Sequence, residues 1–197
     1  MRNLDSPSSG LLSATNQGYT LLELAVVVSI VSVLAAVALP GLRPSQDQKL
    51  DLAASRVAEA LRFGRTESIR TGDVHAVEIL FNTGQVIVSR ADMTQASPYP
   101  AGTPTDPASI LVEPLTKQPF DFSLSVDNST AGVDVLTRPF TYGVGDRRTV
   151  LFDAQGTPFH KAGGAFYRLD DGLVELAFGD QRRNVRLATL TGRVVLE

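Results

Sequence analysis

The sequence predicts an α+β chain in which a long, kinked N-terminal helix packs on antiparallel β-sheets. Three observations carry this. An almost purely apolar run extends from Tyr19 to Leu39. A second segment repeats small and apolar residues at helical spacing from Leu50 to Ser68. From about residue 73 onward the chain is a series of short strand-like segments separated by Gly-, Asn- and Asp-containing turns.

The apolar run is about 21 residues, or roughly 31 Å as an α-helix, which matches a hydrocarbon core of about 30 Å. Residues 19–40 therefore read as a transmembrane half-helix. Its polar side chains are Thr20, Glu23, Ser29 and Ser32. Serine and threonine can bond to the helix backbone itself. Glu23 cannot, and a charge deep in a bilayer costs at least about 2.5–3.5 kcal/mol. Its partner has to come from outside the run.

Pro40 predicts a kink. Residues 41–72 then form the second, amphipathic half of the helix, which the resemblance given below implies is exported. Ser45 followed by Gln48 is a capping-box pattern. Leu50, Ala54, Val57, Leu61, Gly64 and Ser68 form one apolar or small-residue face, and Asp51, Arg56, Glu59 and Arg62 lie off it. Thr71-Gly72 is the expected stop.

Residues 73–197 predict the β domain. Val74–Phe81 alternates, with His75, Val77, Ile79 and Phe81 on one face. Asn82-Thr83-Gly84 turns the chain into Gln85–Ser89. From Ala91 to Pro119 the chain carries six of its 11 prolines, so this stretch cannot be an inner strand. It reads as a surface excursion with a short strand at Ile110–Val112. Further strands are expected at Phe120–Val126, Val133–Leu136, Thr149–Phe152, Ala165–Leu169, Leu173–Phe178, Asn184–Leu190 and Arg193–Leu196. Asp170-Asp171-Gly172 and Thr191-Gly192 read as hairpin turns. The short links imply antiparallel pairing.

Composition narrows the chemistry. The chain has no cysteine and a net charge of -3, which excludes disulfides, thiol catalysis and zinc–cysteine sites. It gives no global pull toward nucleic acid. No catalytic set, phosphate loop or dinucleotide fingerprint is present, so a non-enzymatic role without metal or cofactor is expected. Of the two histidines, His75 is expected to pack on the apolar face of its strand and His160 to be solvated in a loop before Gly163-Gly164. Arg147, Arg148, Arg182, Arg183, Arg186 and Arg193 are interleaved with Asp146 and Asp180. They read as a solvated rim, with nucleic acid not expected as a partner.

Gly18-Tyr19-Thr20-Leu21-Leu22-Glu23, with Pro40 beyond it, resembles the processing site of type IV pilins and type II secretion pseudopilins. The resemblance implies a pilin-like fold and removal of residues 1–18 as a leader. A prepilin peptidase would cut between Gly18 and Tyr19 and methylate the new amine of Tyr19. It implies that Glu23 neutralises the N-terminal amine of a neighbouring subunit in the filament. Two opposite charges in a low-dielectric bundle attract strongly, while either alone is expensive. Tyr19 stands where the family usually has Phe. The polar leader is long and lacks a basic residue just before Gly18; a later translation start near Leu11 or Leu12 would account for its length.

Ala58-Glu59-Ala60-Leu61-Arg62, Arg65-Thr66-Glu67-Ser68-Ile69, Leu151–Gly156 and the closing Val185–Leu187 and Thr191–Val194 segments resemble the GspH/FimT branch, the minor pseudopilin H type. That branch implies an inner-membrane protein with a single pass and a periplasmic C-terminal domain. Its partners would be the other major and minor pseudopilins, the peptidase/methyltransferase and the membrane. A minor pilin of a type IV pilus, acting in assembly or DNA uptake, is the alternative within the family. Outside it stand a plain membrane anchor and a periplasmic binding domain released by signal peptidase after Ala36-Val37-Ala38.

Overall fold

The computed structural model describes residues 19–38, 45–95 and 109–197. The leader with Gly18, the kink expected at Pro40 and the proline-rich residues 96–108 lie outside the described residues. The chain divides into two units, residues 1–43 and 44–197.

In the first unit, helix α1 spans Leu21–Ala38. Its start is set by Thr20, whose Oγ1 accepts from the Glu23 amide at 3.2 Å and whose carbonyl accepts from Leu24 at 3.1 Å. The hydroxyls of Ser29 and Ser32 donate to the carbonyls of Ala25 and Val28, both at 2.7 Å, so neither needs an outside partner. The helix is apolar all round, from Leu21 to Leu34, and its large side chains are all exposed. Such a helix needs an apolar environment rather than water. Among the described residues no helix is long and apolar enough to cross a membrane. Helix α1 has 18 residues, about 27 Å at 1.5 Å per residue, and the expected span 19–40 runs on past its last residue.

In the second unit, helix α2 spans Gln46–Thr71. Both arms of the Ser45–Gln48 capping box form, and Gly72 closes the helix at φ 76°, its amide donating to the Ser68 carbonyl at 3.0 Å. The expected face of Leu50, Ala54, Val57, Leu61, Gly64 and Ser68 is buried, widened by Ala53, Ala58 and Ala60. These short side chains let the sheet come close. A Cβ on Gly64 would lie 2.6 Å from Val77 Cγ2.

Among the described residues eleven strands pair, all antiparallel: β1 (His75–Leu80), β2 (Gln85–Arg90), β3 (Asp121–Ser123), β4 (Asp134–Val135), β5 (Phe140–Tyr142), β6 (Gly145–Arg147), β7 (Thr149–Phe152), β8 (Pro158–Ala162), β9 (Ala165–Phe178), β10 (Gln181–Leu187) and β11 (Val194–Leu196). The main path is β11-β10-β9-β8-β7-β1-β2-β3, with β4 and β5 pairing β9 off that path. Helix α2 lies across this sheet. Leu50, Val57 and Leu61 share one core with Val77, Val88, Val150 and Phe152 toward one end and Val174, Leu176, Val185 and Leu187 toward the other.

Strand β9 corrects the sequence reading. Asp170-Asp171-Gly172 is not a hairpin turn but the middle of a strand of 14 residues. Its first part pairs β8, its middle β5 and its last part β10. An Asp-Gly hairpin turn needs positive φ, and Gly172 does not have it. The reversal falls earlier, at Gly163 and Gly164 with φ 56° and 85°. These are the two residues between the Ala162–Ala165 pair, the positive-φ pattern that suits a two-residue hairpin.

Smaller corrections follow. His160 belongs to β8 and is 4% exposed, not solvated in a loop. Strand β1 ends at Leu80, which leaves Phe81 in the turn and 40% exposed. The expected strand at Ile110–Val112 is reduced to isolated bridges, Ser89 with Ile110 and Val112 with Pro119. Only residues 121–123 of the Phe120–Val126 candidate pair as a strand. The β5–β6 hairpin reverses at Gly143-Val144, between the paired Tyr142 and Gly145.

Candidate functional site

The resemblance points first to the start of α1. Tyr19 stands just before the helix and is 85% exposed. Glu23 is the third helical residue, in the first turn, where a carboxylate complements the positive end of the helix dipole. Its amide is taken by Thr20, while its carboxylate has no ion-pair partner among the described residues. The sequence reading named Thr20 but not its role as the helix cap. Thr-x-x-Glu is itself a capping-box signature, and it determines that Glu23 falls in the first turn rather than ahead of the helix. Gly18 and Pro40 lie outside the described residues.

The second unit places its titratable groups in structural roles. His75 Nδ1 lies 3.2 Å from Ser68 Oγ and 3.2 Å from the Asp73 carbonyl. A carbonyl only accepts, so the Asp73 contact assigns the proton of the neutral ring to Nδ1. The Ser68 hydroxyl donates to the Gly64 carbonyl at 3.0 Å, and Ser68 is fully buried. The pair therefore lacks the proton transfer and the access that a nucleophilic serine needs. It ties the last turn of α2 to β1. Burial pushes the His75 imidazole below its ordinary value, partly opposed by the Asp73 hydrogen bond.

His160 packs against the Tyr142 ring at 5.0 Å between centroids. Burial, with a smaller repulsion from Arg147, holds it at about 4. Next to it, the half-sheltered Lys161 ammonium donates to the carbonyls of Met93 and Gln95 at 2.6 and 2.9 Å. Among the described residues no group of three or more His, Asp or Glu side chains is arranged to hold a metal ion.

Of the six arginines singled out in the sequence, all but the exposed Arg193 have a partner for the side chain among the described residues. Arg148 pairs with the buried Glu78 at 2.7 Å, Arg183 with Asp51 at 2.7 Å, and Arg186 with Glu197 at 3.1 Å and Asp171 at 3.3 Å. Arg147 donates to the carbonyls of Val144 and Asp146, and Arg182 to those of Gly179 and Gln181. Three of them are thus in ion pairs and two are held by carbonyls. Sequence reasoning named Arg65 only within the 65–69 phrase and missed its role: its Nε donates to the carbonyls of Thr191 at 3.0 Å and Gly156 at 3.3 Å. It joins α2 to two separate turns.

Residues 13–39 match the family described as the prokaryotic N-terminal methylation motif. The chain carries a prepilin-type methylation motif. The match encloses Gly18, Tyr19 and Glu23, so the resemblance read from these residues is borne out. No curated protein matches the chain significantly. Among solved structures, the chain is similar to the minor pseudopilin EpsH from the type 2 secretion system of Vibrio cholerae, at 12% identity, with 76% of this chain and 96% of that one covered and a TM-score of 0.47. It is also similar to the type IV minor pilin FimU of Pseudomonas aeruginosa, at 13% identity, 75% and 92% coverage and a TM-score of 0.41. A second crystal form of FimU gives 14% identity, 77% and 90% coverage and a TM-score of 0.43.

Proposed function

We propose that this chain is a minor pseudopilin of a type II secretion system, anchored in the inner membrane with its β domain in the periplasm. The observation that carries the reading is the methylation motif over residues 13–39, whose acidic residue opens an otherwise apolar helix. Cleavage after Gly18 makes Tyr19 the first residue and its amine the cationic group that Glu23 of a neighbour meets. The protein's work is then mechanical. Its apolar helix packs among those of other pseudopilins, and its β domain is presented to them. No catalytic step, metal or cofactor is assigned.

Intact mass of the protein purified from its native membrane tests this. A chain beginning at N-methylated Tyr19 is expected. An uncut leader, or a chain beginning at Leu39, would overturn it. Deleting the gene distinguishes the two systems. Loss of protein export with normal pili supports secretion, while loss of pili with normal export assigns the chain to a type IV pilus.

A further inference from the structure

We propose that the cleft between α2 and the 113–118 turn is a docking site for an extended segment of another protein, one carrying a lysine or arginine beside an aliphatic or aromatic side chain. The proposal rests on the second unit alone and stands whether or not the chain joins a filament.

The cleft has a volume of about 500 Å³, within the range of ligand sites. Its floor is Phe63 of α2, stacked on Phe120 at 5.1 Å and 14°. Its opposite wall is Pro114 with Leu115, and Leu115 is 89% exposed at the tip of its turn. That turn is braced. The Glu113 amide donates to the Gln118 carbonyl at 2.9 Å, the Lys117 amide to the Glu113 carbonyl at 3.0 Å, and the Thr116 hydroxyl to the Glu113 carboxylate. Lys117 holds φ 58°, a left-handed conformation uncommon outside glycine. A water-exposed leucine beside an aromatic floor leaves apolar surface that a partner's side chain can cover.

Charge selects the occupant. Glu59 stands on the helix wall and Glu113 at the base of the turn. Glu59 has no ion-pair partner among the described residues. Arg62 also lines this cleft and Arg56 the next, but each is one cation against two carboxylates in the first and three in the second, and each is held by another group. Arg62 donates to the Val194 carbonyl at 3.4 Å. Arg56 is paired with Asp127 and lies over the Phe122 ring at 4.7 Å. Lys117 lines neither this cleft nor the next. A second, smaller cleft of about 210 Å³ shares Glu59, Glu113 and Phe120 with the first and adds Asp121. The site is therefore elongated and acidic at its rim, which suits an extended basic–apolar segment rather than a compact anionic ligand.

A randomised octapeptide display library panned on the full-length chain in detergent tests this. Enriched octapeptides are expected to place Lys or Arg within two positions of an aliphatic or aromatic residue. Their synthetic forms should shift the Leu115 methyl resonances. They should bind about fivefold more weakly to E59Q, as for a surface charge pair, and about tenfold more weakly to L115S, as for loss of a buried leucine contact. Both substitutions are at solvent-exposed positions, and thermal melting matched to the parent chain confirms that they fold. Acidic enriched peptides, or basic ones that bind E59Q and L115S as tightly as the parent chain, would overturn the proposal. So would self-association of the chain that L115S abolishes, which would make the occupant a second copy.

Discussion

A Cβ on Gly172 would lie 2.9 Å from both the Cβ and the carbonyl oxygen of Leu187. Two parts of the sheet meet here, because β9 changes partners at this point from β5 to β10. Glycine is required for lack of space, not for backbone freedom. Asparagine separates the two requirements, since it tolerates positive φ but adds bulk. Gly172→Asn is expected to destabilise the second unit by about 2–4 kcal/mol, in the range of overpacked cores and above. Gly164→Asn, at φ 85° with no atom within 4 Å, should change stability by less than about 1 kcal/mol. Urea midpoints of the two variants check this; equal losses would return Asp170–Gly172 to a turn.

Arg65 is the second close fit. A Cβ on Gly156 would lie 2.9 Å from Arg65 Nε, and one on Gly192 would lie 3.0 Å from the same atom. The guanidinium stem thus passes between two glycines and donates to carbonyls of both turns. Arg65→Met keeps the stem and removes the donor. A hydrogen bond to a charged group contributes about 1.5–3 kcal/mol, so a loss of about 2 kcal/mol is expected. Faster amide exchange should be confined to the 153–157 and 188–193 turns. Uniform loss of protection across the sheet would contradict this bracing role.

The elements read correctly from sequence are those fixed by neighbours close along the chain. The Ser45–Gln48 cap, the Gly72 stop and the Thr149–Phe152 strand each depend on a few adjacent residues. The misread elements depend on distant ones. Asp170-Asp171-Gly172 has turn composition, but the approach of Leu187 decides its conformation. His160 has loop neighbours in Gly163-Gly164, but those glycines close a hairpin that draws it into β8. At the apolar helix the motif was legible as Gly18, Tyr19 and Glu23. The cap at Thr20 carried a local signature that the apolar run obscured.

The buried His160 makes stability depend on pH in a definite direction. Its folded value of about 4 lies below its ordinary 6.5. Between these values the unfolded chain takes up a proton that the folded chain refuses. Stability from this group is therefore complete above pH 6.5 and declines as pH falls toward 4. The expected loss is on the order of 2–3 kcal/mol, and His75 adds to it in the same direction. Asp127 titrates in a separate window. Hydrogen bonds from Ser129, with Arg56 beside it, hold its carboxylate at about 2. Its contribution persists above the ordinary 3.8 and fades only below. Urea unfolding of the parent chain and of His160→Gln at pH 7.0 and 4.5 tests the assignment, and the variant should lose distinctly less stability on acidification.

Glu23 and Thr20 allow the assembly proposal to be separated from helix formation. Thr20→Val removes the side-chain acceptor for the Glu23 amide and should weaken the first turn of α1 by about 1 kcal/mol, leaving the carboxylate in place. Glu23→Gln keeps the cap and removes the charge. If a neighbour's amine is the partner, the second substitution leaves that amine unpaired in a low-dielectric bundle, a loss on the order of 3–5 kcal/mol. Filament incorporation should fall by more than about a hundredfold, while the amount in the membrane fraction stays unchanged. Thr20→Val should reduce incorporation only several-fold. Quantitative immunoblots of sheared filaments and membranes give both numbers. Incorporation of Glu23→Gln at the parental level would mean that the carboxylate serves the helix alone and that no neighbouring amine waits for it.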